Sequence, residues 1–130
     1  MRLEISSTLL ARLLADAAAS PETEICGLLF GSDRVIEAAE ACANVAADPA
    51  RRFEIDPVAL LAAHRRARGG GAAVIGCYHS HPSGDPVPSA IDAESAMGDG
   101  AVWIILGGGE ARGWRSGERG LFQPVELVVV

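Results

Sequence analysis

Between His79 and Asp92 the chain reads HSHPSGDPVPSAID, which sets two imidazoles, a hydroxyl and a carboxylate at a spacing that suits a zinc ion. His79 and His81 end the apolar run Ala72 to Tyr78, and residues two apart on a strand point to the same face. Both rings can therefore reach one ion. Pro82 cannot donate to a sheet ladder, so the strand stops there, and Ser83 to Pro88 reads as a loop. Ser89 then caps a new helix, on whose first turn Ser89 and Asp92 share a face that can look back at the histidines. Two His and one Asp leave a tetrahedral site with one open position, the arrangement of catalytic rather than structural zinc.

A plainer reading exists for each part. Ser89 to Asp92 fits a capping-box start without any metal, and a lone His at a strand end is an ordinary polar terminus. The combination H-x-H-P-x(6)-S-x-x-D, however, would arise in a shuffled chain of this composition on the order of once in 100,000 tries. Capping and metal binding are also compatible, because a capping Ser can still aim its hydroxyl into the site.

The elements that must carry these residues follow from periodicity and punctuation. Met1 to Ile5 is a short strand, and Ser6-Ser7-Thr8 opens an amphipathic helix to about Ala19, stopped by Ser20-Pro21. Ile25 to Gly31 and Val35 to Ala43 form a hairpin turned at Ser32-Asp33, and Arg52 to Ile55 reads as a further short strand. Asp56-Pro57 starts a helix that ends near Gly69-Gly70-Gly71, a turn that lacks the Lys-Ser/Thr of a phosphate loop. Ala72 to His81 is the strand bearing the two rings and Ser89 to Met97 the helix bearing the carboxylate. Ala101 to Leu106, Ala111 to Arg115 and Leu121 to Val130 complete the sheet. Helices interleaved among strands predict an α/β fold, a mixed β-sheet with helices packed on its faces.

The segment resembles the signature of JAMM/MPN-plus metalloproteases, H-S/T-H-P followed by S-x-x-D, without gap or substitution. That family also uses an upstream glutamate. Pro21-Glu22-Thr23-Glu24-Ile25-Cys26-Gly27-Leu28-Leu29 is similar to its prokaryotic form, and the match falls on Glu24 rather than Glu22. The resemblance implies a JAMM/MPN-like, cytidine-deaminase-like single domain over residues 1–130, with one zinc on His79, His81 and Asp92. Glu24 would move the proton between the attacking water and the leaving amine, a task one carboxylate can perform in both directions. Ser89 would hydrogen-bond the developing oxyanion.

The resemblance further implies a ubiquitin-like or sulfur-carrier protein as substrate, cleaved next to its C-terminal Gly-Gly. Such a tail can add as a strand to a sheet edge beside the metal. Two alternatives stay open: amide hydrolysis of a cell-wall peptide or other non-ubiquitin-like substrate, and a non-catalytic MPN interaction module. A zinc nucleoside deaminase needs H-x-E and P-C-x-x-C segments that the chain lacks.

Composition narrows the rest. The chain has 130 residues, 49% of them hydrophobic, enough for one domain with a real core. A net charge of -6 speaks against a nucleic-acid grip. Arg65, Arg66 and Arg68 read as a solvated helix end, and His64 as a surface residue. No stretch is long and apolar enough to span a bilayer and no signal-type segment opens the chain, which predicts no membrane partner and a cytoplasmic protein. Cys26, Cys42 and Cys77 form no CxxC pair and suit reduced thiols, with Cys26 and Cys77 as packing residues. All eleven basic side chains are arginine, which fits a chain rich in Ala, Arg and Gly.

Overall fold

Val102 to Gly107 is buried at every position, as befits a strand covered on both faces, and the rest of the fold is arranged around it. The computed structural model describes residues 1–130. Its elements are β1 (Arg2–Ile5), α1 (Ser7–Ala18), β2 (Cys26–Gly31), β3 (Val35–Cys42), α2 (Pro57–Arg68), β4 (Val74–Ser80), α3 (Ala90–Ser95), β5 (Val102–Gly107), β6 (Glu110–Glu118) and β7 (Leu121–Val129). The mixed α/β sheet expected from the sequence is present, in the order β1-β3-β2-β4-β5-β6-β7.

The sheet closes. β7 pairs in parallel with β1 from Arg2↔Glu126 to Ile5↔Val129, so the row of strands becomes a barrel. Alternation then divides the side chains between two layers. Leu3, Ile5, Leu29, Ile36, Tyr78, Ile104 and Leu106 meet inside, where α1 contributes the fully buried Leu13. Burial of one such leucine contributes roughly 1.5–3 kcal/mol. On the outer face, Leu28 and Phe30 of β2 pack against Ala63 of α2.

Local signals explain the helix ends. The Ser6 side chain accepts from the Leu9 N–H, Asp56 accepts from Val58 ahead of Pro57 in the first turn, and Arg65, Arg66 and Arg68 lie in the last turn of α2. Arg66 is not merely solvated: it pairs with Glu40 of β3 at 3.1 Å. Gly76 permits the close approach of β4 and β5, since a Cβ there would fall 1.7 Å from the Val102 carbonyl oxygen.

The strand expected over Arg52 to Ile55 is absent. Only an isolated bridge, Asn44↔Ile55, forms, because the Asn44 side chain occupies the Arg52 carbonyl and the Glu54 N–H that a ladder would need. α3 also ends at Ser95, short of Met97, which instead bridges Arg119. No helix is long and apolar enough to cross a membrane.

Candidate metal centre

β4 delivers the first ring and the turn after it delivers the second. Cys26 of β2 sits opposite His79 of β4 in an antiparallel pair. Continuing that register places Glu24 across from His81, held there by the Ser80 N–H donating to the Ile25 carbonyl at 3.1 Å and the Ile25 N–H donating to Ser80 Oγ at 2.9 Å. Beyond the strand, the His81 N–H still donates to the Leu106 carbonyl at 2.8 Å, so the chain stays extended for one more residue. His79 and His81 thereby share the outer face.

Asp92 arrives through its helix cap. Ser89 Oγ accepts from the Asp92 N–H at 3.0 Å, while Asp92 Oδ2 accepts from the Ser89 N–H at 2.9 Å, a reciprocal capping box. The same Oδ2 lies 3.2 Å from His79 Nε2 and 3.0 Å from His81 Nε2, and the two nitrogens are 3.1 Å apart. A tetrahedron about an ion with ligands at about 2.0–2.1 Å has edges of roughly 3.3 Å, so these three atoms are spaced as neighbours on one coordination sphere. Nδ1 of His81 donates to the Asp85 carbonyl at 2.7 Å, which leaves the Nε2 lone pair of the neutral ring turned toward the centre.

Glu24 completes the group. A carboxylate oxygen of Glu24 and a ring nitrogen of each histidine all lie within 4.8 Å of one another. Glu24 is only 5% exposed, Glu22 is exposed, and Glu24 Oε1 is buried without a hydrogen-bond partner. Burial pushes the Glu24 carboxyl up to about 7, with His81 opposing and Asp92 adding to the rise. The environment treats its neighbours differently. Burial lowers the basicity of His79. For His81, burial works downward but is outweighed by the hydrogen bonds to Asp92 and the Asp85 carbonyl, so its pKa rises. Asp92 is held well below the usual carboxylate range, because contacts with His79 and His81 overcome the cost of its burial.

All five candidates from the sequence thus converge: His79, His81 and Asp92 in contact, Glu24 facing them, and Ser89 bonded to Asp92. His81 and Pro82 line a cleft of 260 Å³, and Glu24 and Asn44 line another of 580 Å³. β4 itself offers no sheet edge to a substrate tail, since it is paired with β2 on one side and β5 on the other. Two residues of the surroundings are not singled out by the sequence motifs. Phe53 stacks on His79 with ring centroids 4.3 Å apart, and Asn44 binds the Glu24 carbonyl. A large aromatic between the charged Arg52 and Glu54 and an Asn at a strand end are the signals the sequence carries.

Of the thiols, Cys26 is buried and Cys77 half-buried, and burial raises both, Cys26 to about 12. Both are therefore held in the thiol form rather than as the nucleophilic thiolate.

Comparison with known proteins agrees with this geometry. The family profile of prokaryotic homologs of the JAB domain matches residues 6–118. A desampylase of Haloferax volcanii is 39% identical over 100 residues, covering 75% of this chain and 72% of the relative. A probable TtuB-protein conjugate cleaving protease of Thermus thermophilus is 34% identical over 102 residues, covering 78% of this chain and 66% of that protein. A solution structure from Desulfitobacterium hafniense superimposes with a TM-score of 0.83 at 25% identity, covering 98% of this chain and 92% of the other. The buried Glu, His, His cluster, the fold and the match over most of the chain lead to one assignment: the protein belongs to the prokaryotic JAB-domain homologs, hydrolases of the JAMM/MPN type.

Proposed function

We propose that the chain, one domain over residues 1–130, is a cytoplasmic zinc-dependent isopeptidase. Its substrate is a ubiquitin-like or sulfur-carrier protein, cut at the amide bond next to the C-terminal Gly-Gly. The observation that carries this reading is the single Asp92 oxygen within 3.2 Å of both histidine Nε2 atoms, with the buried Glu24 facing the group. His79, His81 and Asp92 hold one zinc per chain. When bound, the ion supplies Lewis-acid polarisation of the scissile carbonyl and brings water to nucleophilic strength near neutral pH.

The protein's own residues do the rest. Glu24, with a pKa of about 7, takes a proton from the attacking water and returns it to the departing amine, the match of pKa to working pH that general acid–base catalysis favours. Ser89 Oγ already accepts the Asp92 N–H, which leaves its hydroxyl proton to donate to the oxygen that gains charge. Burial of His79 and Asp92 keeps bulk water from competing for these contacts. Names of the relatives support the substrate class, since one is a desampylase and the other a conjugate cleaving protease.

The test is to measure zinc by elemental analysis and then incubate the protein with a ubiquitin-like modifier extended beyond its Gly-Gly, with and without chelator. Cleavage after Gly-Gly that stops with chelator and returns with zinc supports the reading. A zinc-loaded protein that leaves the extended modifier intact would overturn the substrate class, and a protein that takes up no zinc would overturn the mechanism.

A further inference from the structure

Asn44 follows β3 and divides its entire side-chain hydrogen-bonding capacity between Glu24 and the segment leading to α2. Its Nδ2 donates to the Glu24 carbonyl at 2.9 Å and to the Arg52 carbonyl at 3.1 Å. Its Oδ1 accepts from the Ala46 N–H at 3.0 Å and the Glu54 N–H at 3.1 Å. An amide has two donors and two acceptor positions, so nothing is left over. The Glu24 N–H in turn donates to the Pro49 carbonyl at 2.8 Å. Both backbone polar groups of Glu24 are therefore bound to this one loop.

The other end of the loop carries Phe53. Its ring lies nearly parallel to His79, centroids 4.3 Å apart at 18°, and meets Trp103 edge-on at 5.6 Å. His79 lacks the support His81 enjoys. His81 Nδ1 is bonded to the Asp85 carbonyl, whereas His79 Nδ1 is buried with no partner. A ligating imidazole is ordinarily oriented by a hydrogen bond from its second nitrogen. Here the ring is held instead across its face, by the stacked Phe53.

We propose that residues 44–55 form a positioning arm: Phe53 fixes the His79 ring by stacking, and Asn44 ties that ring's support to the Glu24 backbone, so that imidazole and carboxylate keep one separation. Phe53 and Asn44 are positioning residues, acting through His79 and Glu24. The arm contains no helix or strand beyond the Asn44↔Ile55 bridge, so these contacts set its place. Misplacement of a reacting group by about 1 Å can cost on the order of 100-fold in rate, which is why such an arm matters.

This inference rests on the zinc reading, and its test separates the two. Zinc affinity of the full chain is measured by competition with a chromophoric chelator for wild type, Phe53→Leu, Phe53→Tyr, Asn44→Ala and the double variant, with a melting curve of each metal-free protein as a folding control. Phe53→Leu keeps apolar bulk but loses the planar face, and is expected to weaken zinc binding about 10- to 100-fold, the range for removed outer partners of a ligand. Phe53→Tyr is expected to stay within about threefold of wild type, because the ring is retained. Asn44→Ala weakens binding through Phe53, so the double variant binds no more weakly than Phe53→Leu alone. Should Asn44→Ala fail to fold, Asn44→Asp replaces it, keeping the two accepted bonds and losing the two donated ones. Wild-type affinity in Phe53→Leu, or additive losses in the double variant, would overturn the positioning arm. Wild-type protein that takes up no zinc would instead overturn the metal reading on which it stands.

Discussion

Replacing Glu24 with glutamine makes the metal-free protein more stable above neutral pH while removing its activity when zinc is present. Burial holds the Glu24 carboxyl at about 7 in the folded chain, against 4.5 for the free group. Between these values the folded protein retains a proton that the unfolded chain has released. Folded-state proton binding exceeds unfolded-state binding there, so stability falls as pH rises through that window and stays lower above it. The interval corresponds to about 3 kcal/mol at most, and water reaching the cleft reduces it toward 1–2 kcal/mol. Glutamine carries no such charge. The difference in melting temperature between Glu24→Gln and wild type, followed by calorimetry in chelator, is expected to be small near pH 5 and to grow to on the order of 5–10 °C at pH 8. A difference that stays constant from pH 5 to pH 8 would refute the buried-carboxylate argument. In the zinc-loaded protein the same variant loses turnover with zinc content still near one per chain. Loss of the metal in step with activity would make Glu24 a ligand instead of a proton carrier.

Three further outcomes follow from the geometry. Ser89→Ala removes the acceptor for the Asp92 N–H and the proposed oxyanion donor, so the rate falls about 100-fold and the fold loses about 1 kcal/mol, while zinc is retained; an unchanged rate removes Ser89 from the mechanism. Gly76→Ala forces a methyl against the Val102 carbonyl at 1.7 Å and separates β4 from β5, which costs more than about 2 kcal/mol in denaturant titration; wild-type stability would mean the strands are spaced more widely. Thiol alkylation at pH 7.5 leaves turnover unaffected, since burial raises the pKa of all three cysteines; rapid inactivation would place a reactive thiol at the site.

Much of the centre was legible because its geometry is local. Two residues apart on a strand, His79 and His81 had to share a face, and three residues apart on a capped turn, Ser89 and Asp92 had to meet. The turn at Ser32-Asp33, the proline start of α2 and the covered β5 were equally readable from neighbouring residues. Arg52 to Ile55 reads as a strand because Phe53-Glu54-Ile55 alternates, and nothing nearby reveals that Asn44 claims the backbone groups.

Glu24 is a different case, since the resemblance to a known family singled it out and its position depends on chain far away. Cys26 pairs with His79 across 53 residues of sequence, and that register alone sets Glu24 on the face of the two rings. A slip of one residue would turn its carboxylate to the inner side of the barrel, with the sequence unaltered. Barrel closure through β1 and β7, the stacking of Phe53 on His79 and the binding of Glu24 to the 44–55 arm were decided in the same way. Local covalent geometry dictates which residues can present a ligand, whereas long-range pairing, won by the total burial of the core, dictates which of them meet.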